Sequence, residues 1–359
     1  MDDILHWDII QRQNIEQTQG NIEEIPSGNI NFLYRISYGK KTFVAKVAKP
    51  YIKILGTTGA LTTQRLAVEI SALTFLAQHL PDIAPSLLDY SLDDNVYLMT
   101  DLSDYDLLSS LRIVEYPQLA RLFTQLAKFH SLSYQKTHLL PDSSVLDNHA
   151  MCHLSEEYIF TFPFIDHPSN KVKLQDTQNI IESIRLNPRV RQKVDEALSI
   201  FKHKKNALIH GDLHFGSIFK RGNDFKLIDW EFAFIGPISF DLGIVFANYF
   251  IQCFIHYKHS ADTKVFTGLT QAFNHYYESL EQNIDYALLL NETVCFMAIE
   301  IFRRIVGPAS FIELNDAIAD NLPHDNIEQE LLQLTQIALT DDADNLSFTT
   351  LTNGIKDTL

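Results

Sequence analysis

Cysteine, basic charge and long apolar runs are all scarce in this chain, and each scarcity excludes something. Three cysteines, Cys152, Cys253 and Cys295, stand too far apart for a metal-ligand spacing or a disulfide framework. The 29 lysines and arginines are outnumbered by 45 aspartates and glutamates, which leaves a formal charge of −16. So acidic a surface repels phosphodiester backbones, which argues against general nucleic-acid binding but leaves room for a basic pocket around a small phosphate. The most apolar stretch, about residues 243–255, is broken by Asn248 and Gln252 and is shorter than a bilayer crossing needs. Residues 1–8 carry acids where a secretory leader carries base. A soluble, reduced, cytoplasmic protein with no membrane partner is expected. Core material, by contrast, is plentiful. With 46% hydrophobic and 11% aromatic residues over 359 positions, disordered and fibrous classes are excluded, and the length suits about two domains.

Periodicity divides the chain. Ile30, Phe32, Tyr34 and Ile36 alternate with Asn31, Leu33, Arg35 and Ser37, and residues 38–41 supply a turn before a second strand over 42–46. A helix is expected over 61–79, from the apolar positions Leu66, Ile70, Leu73 and Leu76, followed by a strand over 95–99. This is a small α+β lobe spanning 1–101. The following 102–340 reads as mostly helical, with helices expected at 116–132, 190–202, 240–256, 267–281 and 288–306. One strand-rich island, 207–234, interrupts it. No internal repeat or low-complexity segment occurs, and 341–359 is a polar tail. Clefts between two lobes are common ligand sites.

The island carries the chemistry. Asp212 follows His210-Gly211 at the end of an apolar strand, where a turn presents its carboxylate to a cleft. Asp229 and Glu231 end the next apolar strand two residues apart. In an extended chain such a pair faces one side, where both can reach one hard cation such as magnesium. One acid orienting a hydroxyl and two holding a metal is the arrangement of phosphoryl transfer. A zinc site built from His210, Asp212 and His214 is the competing reading, which Gly211 and the loop conformation oppose. Upstream, a glycine turn at 26–31, Lys46 at the end of a strand and Glu69 on the following helix match the phosphate-lysine and its anchoring glutamate in kinases. An apolar-flanked Asp241 is expected to bond the catalytic-loop backbone, and His210 to act as a hydrogen-bonding strut.

In this order the motifs resemble the protein-kinase-like small-molecule kinases of the aminoglycoside phosphotransferase and choline kinase type, and within them the 5-methylthioribose kinases. His210-Gly211-Asp212-Leu213-His214-Phe215-Gly216-Ser217 departs from that family's pattern only at Phe215. The stretch from Asp229 to Pro237 departs at Trp230, where the family has proline, and at Ile235. Gly28-Asn29-Ile30-Asn31, Asp101-Leu102-Ser103 and the paired arginines within 301–307 also match. The resemblance implies a bilobal α+β kinase fold, ATP and Mg2+ as cofactors, a sugar acceptor and a homodimer. It assigns Asn29 and Lys46 to the ATP phosphates, with Glu69 behind the lysine, and Thr100, Asp101 and Leu102 to the adenine. Asp212 falls to the acceptor hydroxyl, Asp229 and Glu231 to magnesium beside the nucleotide with Trp230 between them, and Arg303 and Arg304 to the acceptor. A plainer role for Arg304 is an ion pair with Glu300, one turn back. The same fold acting on another sugar or an amino alcohol, or a catalytically silent nucleotide-binding regulator, are the alternatives.

Overall fold

The computed structural model describes residues 8–12, 20–26, 28, 30–111, 115–136, 140, 144–311, 314–315, 324–341 and 347–348. Asn29 and most of the polar tail therefore lie outside the described residues.

The N-terminal lobe is a five-stranded antiparallel sheet with one long helix. After a short helix α1 (Asp8–Gln11) come β1 (Gly20–Ile25), β2 (Phe32–Tyr38), β3 (Lys41–Val47), helix α2 (Gln64–His79), β4 (Leu87–Ser91) and β5 (Val96–Thr100). Their order across the sheet is β1-β2-β3-β5-β4, which makes β3 central. Alternation along β3 sorts its side chains by face. Phe43, Ala45 and Val47 pack with Ile9, Ile10, Ile36, Val96 and Leu98 in a cluster on one side. Val44 belongs to the main core on the other, and Lys46 shares that parity. The register sets Lys46 opposite Tyr97 and Phe43 opposite Thr100, so the exit of β5 lies three residues along the ladder from the lysine.

The second lobe is helical. It contains α3 (Tyr116–Ser133), α4 (His149–Ser155), α5 (Gln175–Leu186), α6 (Pro188–His203), α7 (Ile238–Ser260), α8 (Thr267–Glu278), α9 (Tyr286–Val306) and α10 (His324–Thr340). Small strands carry the 207–234 island: β6 (Asp106–Leu107), β8 (Ile218–Arg221) and β9 (Asp224–Leu227) form one sheet, and β7 (Ala207–Ile209) pairs with β10 (Phe234–Gly236). Local chemistry sets several helix starts. Asn187 accepts from Arg189 N at 2.9 Å just before Pro188, and Asp285 accepts from Leu288 N at 2.7 Å.

Helix α7 corrects one expectation. It runs 23 residues where 240–256 was expected, and, against the expectation that its apolar stretch is too short, it is long and apolar enough to cross a bilayer. Its apolar window is wholly buried inside the protein, so the hydropathy is that of a core helix. It packs closely on α9 because Gly243 lacks a side chain. A Cβ there would overlap the Cβ of Phe296 and lie 3.0 Å from Met297 N. Gly243→Ala would gain about 1 kcal/mol of helix propensity. The overlap falls on backbone and a Cβ rather than on a flexible side-chain end, so overpacking of about 1–3 kcal/mol outweighs that gain. A lowered thermal midpoint is the expected result, and an unchanged or raised one would show that the two helices can separate.

Candidate active site

The chain turns sharply after β7. Gly211 takes a φ of 82°, and a Cβ there would collide with the Phe232 carbonyl, so only glycine lets this turn lie against the 230–233 segment. Asp241, in the first turn of α7, fixes the turn from beneath, accepting from His210 N at 2.7 Å and Gly211 N at 2.9 Å. His130 Nε2 lies 3.2 Å from the same carboxylate, and its Nδ1 is 2.7 Å from the Tyr276 hydroxyl. Asp241 is thus the backbone strut expected of it. So is His210: its Nε2 sits 2.7 Å from Ile228 O and its Nδ1 accepts from Asp212 N. Burial pushes its pKa down and keeps the ring neutral. With both ring nitrogens engaged the zinc reading fails, and among the described residues no three His, Cys, Asp or Glu side chains are grouped to hold a metal.

Asp212 itself faces outward, its side chain 30% exposed. His214 Nε2 is 3.5 Å away, Arg303 Nη2 3.8 Å and Arg304 Nη2 4.0 Å. Burial would raise its pKa, but these cations outweigh burial and hold it well below the usual carboxylate range. An acid so firmly ionised is ready to accept a hydrogen bond, and a transient proton, from a hydroxyl. Ser217 donates to the Asp212 carbonyl at 2.9 Å and so pins the loop.

The paired acids are reached by a different route from the one expected. Asp229 adopts a left-handed conformation (φ 64°, ψ 51°), and residues Trp230–Phe232 form a 3₁₀ turn, so the same-face argument for an extended chain does not apply. Their partners hold them instead. Lys46 Nζ, on β3, contacts Asp229 Oδ1 at 2.8 Å and both oxygens of Glu69, on α2, at 2.8 and 2.9 Å. Burial opposes the ammonium, yet Asp229 and Glu69 win and raise its pKa well above the ordinary value. Glu69 also accepts from Trp230 N at 3.1 Å.

Glu231 is buried. Its Oε2 accepts from Asn31 Nδ2 at 2.9 Å and meets Arg65 Nε at 3.1 Å, and Arg65 also donates to the Asn31 side chain. Burial, with help from Glu69 and Asp229, pushes the Glu231 carboxyl up to about 7 against the pull of Lys46 and Asn31. Both bonds end on Oε2, which leaves Oε1 to turn toward a cation. Asp229, at 45% exposed, opens to the cleft. Two carboxylates of this kind fit a hard divalent ion that keeps further positions for phosphate oxygens and water. Trp230 requires a correction: its side chain is fully buried, edge-on to Phe129 at 5.1 Å and bonded through Nε1 to Leu227 O, so it presents no surface to a nucleotide.

At the exit of β5, Thr100 and Ser86 exchange hydrogen bonds at 3.1 Å. Asp101 is occupied by Arg35 at 2.8 Å and by Ser103 N at 3.0 Å. Leu102 O accepts from Tyr105 N at 2.9 Å. These side chains brace the hinge, so any adenine contact there falls to its backbone. On α9 both arginines fork onto the buried Glu300, at 2.6 Å from Arg303 Nε and 2.7 Å from Arg304 Nε. The ion pair and the approach to Asp212 therefore coexist. A cavity of about 360 Å³ opens between them. Asp212 and Arg303 form its polar end, while Ile30, Ile54, Tyr158 and Pro308 supply apolar walls from both lobes. Reasoning from sequence missed Arg65, Asn31 and Glu300 as site residues. The Gly-Asn-Ile-Asn spacing was the available signal for Asn31, and none pointed to Arg65.

Comparison with known proteins agrees with this geometry. Residues 21–260 match the phosphotransferase enzyme family. A methylthioribose kinase of Bacillus velezensis is 30% identical over 82% of this chain and 80% of its own length. One from a Geobacillus species is 30% identical over 88% of this chain and 83% of its own. Among solved structures, choline kinase from Cryptosporidium parvum superposes with a TM-score of 0.52 at 12% identity, covering 96% of this chain and 99% of that one, which speaks for the fold alone. A lysine–glutamate pair on sheet and helix, a loop aspartate seated on Asp241 and a matching sequence over two thirds of the length lead to one assignment: the chain belongs to the phosphotransferase enzyme family.

Proposed function

We propose that this enzyme transfers the γ-phosphoryl group of ATP to the 1-hydroxyl of 5-methylthioribose, with magnesium at Asp229 and Glu231. The observation that carries the reading is the cavity with Asp212 and Arg303 at one end, Arg304 behind them 4.0 Å from Asp212, and apolar walls at the other. A ribose hydroxyl edge suits the guanidinium forks, and a thiomethyl group suits the apolar walls. Two fixed positive charges disfavour choline or an aminoglycoside as acceptor. Residues 1–101 would bind nucleotide and 102–340 would hold the acceptor. The resemblance further supports a homodimer acting in the cytoplasm in methionine salvage.

The steps follow from the residues. Ionised Asp212 accepts a hydrogen bond from the acceptor hydroxyl and aligns its oxygen with the γ-phosphorus. As that oxygen–phosphorus bond forms, the bond to the β-phosphate oxygen breaks, ADP leaves and the hydroxyl proton departs toward Asp212. Lys46, still anchored by Glu69, turns from Asp229 to the phosphates. When bound, magnesium neutralises phosphate charge during transfer.

The test is ADP release with methylthioribose beside ribose, amino alcohols and an aminoglycoside. Turnover on another acceptor but none on methylthioribose would overturn the substrate. A second measurement probes the arginines. Arg303→Ala with Arg304→Ala, made together with Glu300→Gln so that no buried carboxylate is left unpaired, should raise the acceptor KM roughly tenfold or more while sparing the ATP KM. An unchanged acceptor KM would remove both from the acceptor site.

A further inference from the structure

After the turn at Phe162–Phe164 the chain passes across the end of α9, and Lys171 anchors it there. The Lys171 backbone N–H donates to Val306 O at 2.8 Å. Its ammonium donates to Arg304 O at 3.0 Å, Ala309 O at 2.9 Å and Ser310 Oγ at 2.6 Å. Every donor of this one residue thus ends within residues 304–310. A lysine on the last carbonyls of a helix is favoured by the helix dipole, but here it also spans two walls of the cavity, since Ser169 and Ala309 both line it.

We propose that Lys171 is a positioning residue for the acceptor: by clasping the C-terminal end of α9 to the loop that follows, it sets the Arg303–Arg304 pair against Asp212 and holds the Pro308–Ala309 wall. The inference rests on the reading of that cavity as the acceptor site. The charged groups around the ammonium are Lys173 on its own segment, Arg303 and Arg304 on α9, and Glu328 on α10. Burial, then Lys173 and the arginines, lower its pKa to about 8, with Glu328 pulling the other way. Below that pH the ammonium fills three acceptors. Above it the neutral amine has two N–H groups for three sites, and the clasp loosens.

The experiment is steady-state kinetics with methylthioribose and ATP across about pH 7 to 9. Lys171→Met should raise the acceptor KM roughly tenfold while kcat and the ATP KM stay near wild type, and Lys171→Arg should recover most of the loss. In the wild type the acceptor KM should climb above about pH 8, and in Lys171→Met that climb should be gone. An acceptor KM that ignores both the substitution and pH overturns the positioning role. If Lys171→Met does not fold, Lys171→Gln takes its place, with the same expected rise in acceptor KM and the same overturning result. Should the wild type fail to phosphorylate methylthioribose, the substrate assignment falls instead. The clasp is then judged by amide hydrogen exchange over residues 303–311 in the ligand-free enzyme. Exchange about tenfold faster in Lys171→Met supports it, and equal exchange overturns it.

Discussion

Asp212→Asn is expected to lower kcat by roughly 10²–10⁴-fold, the range for losing a positioned proton-transfer group. The side chain keeps its shape but loses the charge proposed to accept a hydrogen bond from the attacking hydroxyl. The ATP KM should change little, because Asp212 touches neither Lys46 nor the paired acids among its close contacts. Stability should also hold within about 1 kcal/mol, since the ion pairs it loses are long and partly solvated. The acid limb of the wild-type rate profile follows from the same surroundings. With its pKa held below the ordinary carboxylate range, Asp212 stays ionised as the pH falls through about 4, so any loss of rate near neutral pH belongs to another group. Single-turnover kinetics with a thermal melt check both parts, and a near-normal kcat would remove Asp212 from the reaction.

Lys46→Met should abolish turnover and also destabilise the fold, by about 3–5 kcal/mol, the cost of leaving buried carboxylates without their cation. Lys46 and Glu69 are each 1% exposed, and Glu231 nearby is almost as deeply buried. Adding Glu69→Leu removes one stranded charge and should restore a large part of the melting temperature without restoring activity. That split separates the structural role of the pair from its role toward phosphate. If Lys46→Met melts like the wild type, the pair is not the closed ion pair described above.

Much of the architecture was legible because it is written in local periodicity. Alternation marked β2, a turn and an apolar run marked β3, a 3.6-residue repeat marked α2, and the acid spacings marked the site. Edge strand β4 escaped because its half-exposed alternation, Leu87 to Ser91, has no apolar run. Helices α5 and α10 escaped too, since their apolar residues are interspersed with Gln, Glu and Asn that blur the helical period. The fate of Trp230 and the turn at Asp229 depend on what packs around them. Arg65 was invisible, and the role of Asn31 was hidden behind its loop motif, for a related reason: Asn31 and Glu231 are 200 residues apart in sequence, and no spacing rule reaches across that distance. Glu300 stood in view as a partner for Arg304, but that it holds both arginines while they lean toward Asp212 is a fact of three-dimensional placement.

The join between the lobes has a consequence for which form of the nucleotide can enter. Lys46 and Arg65 bring two positive charges to it, against the carboxylates of Glu69, Asp229 and Glu231. Among the described residues at this join the carboxylates outnumber the cations by one, so a naked triphosphate would add to a surplus of negative charge at the threshold. On the proposed reading, the doorway therefore favours a nucleotide that arrives with its counter-ion attached.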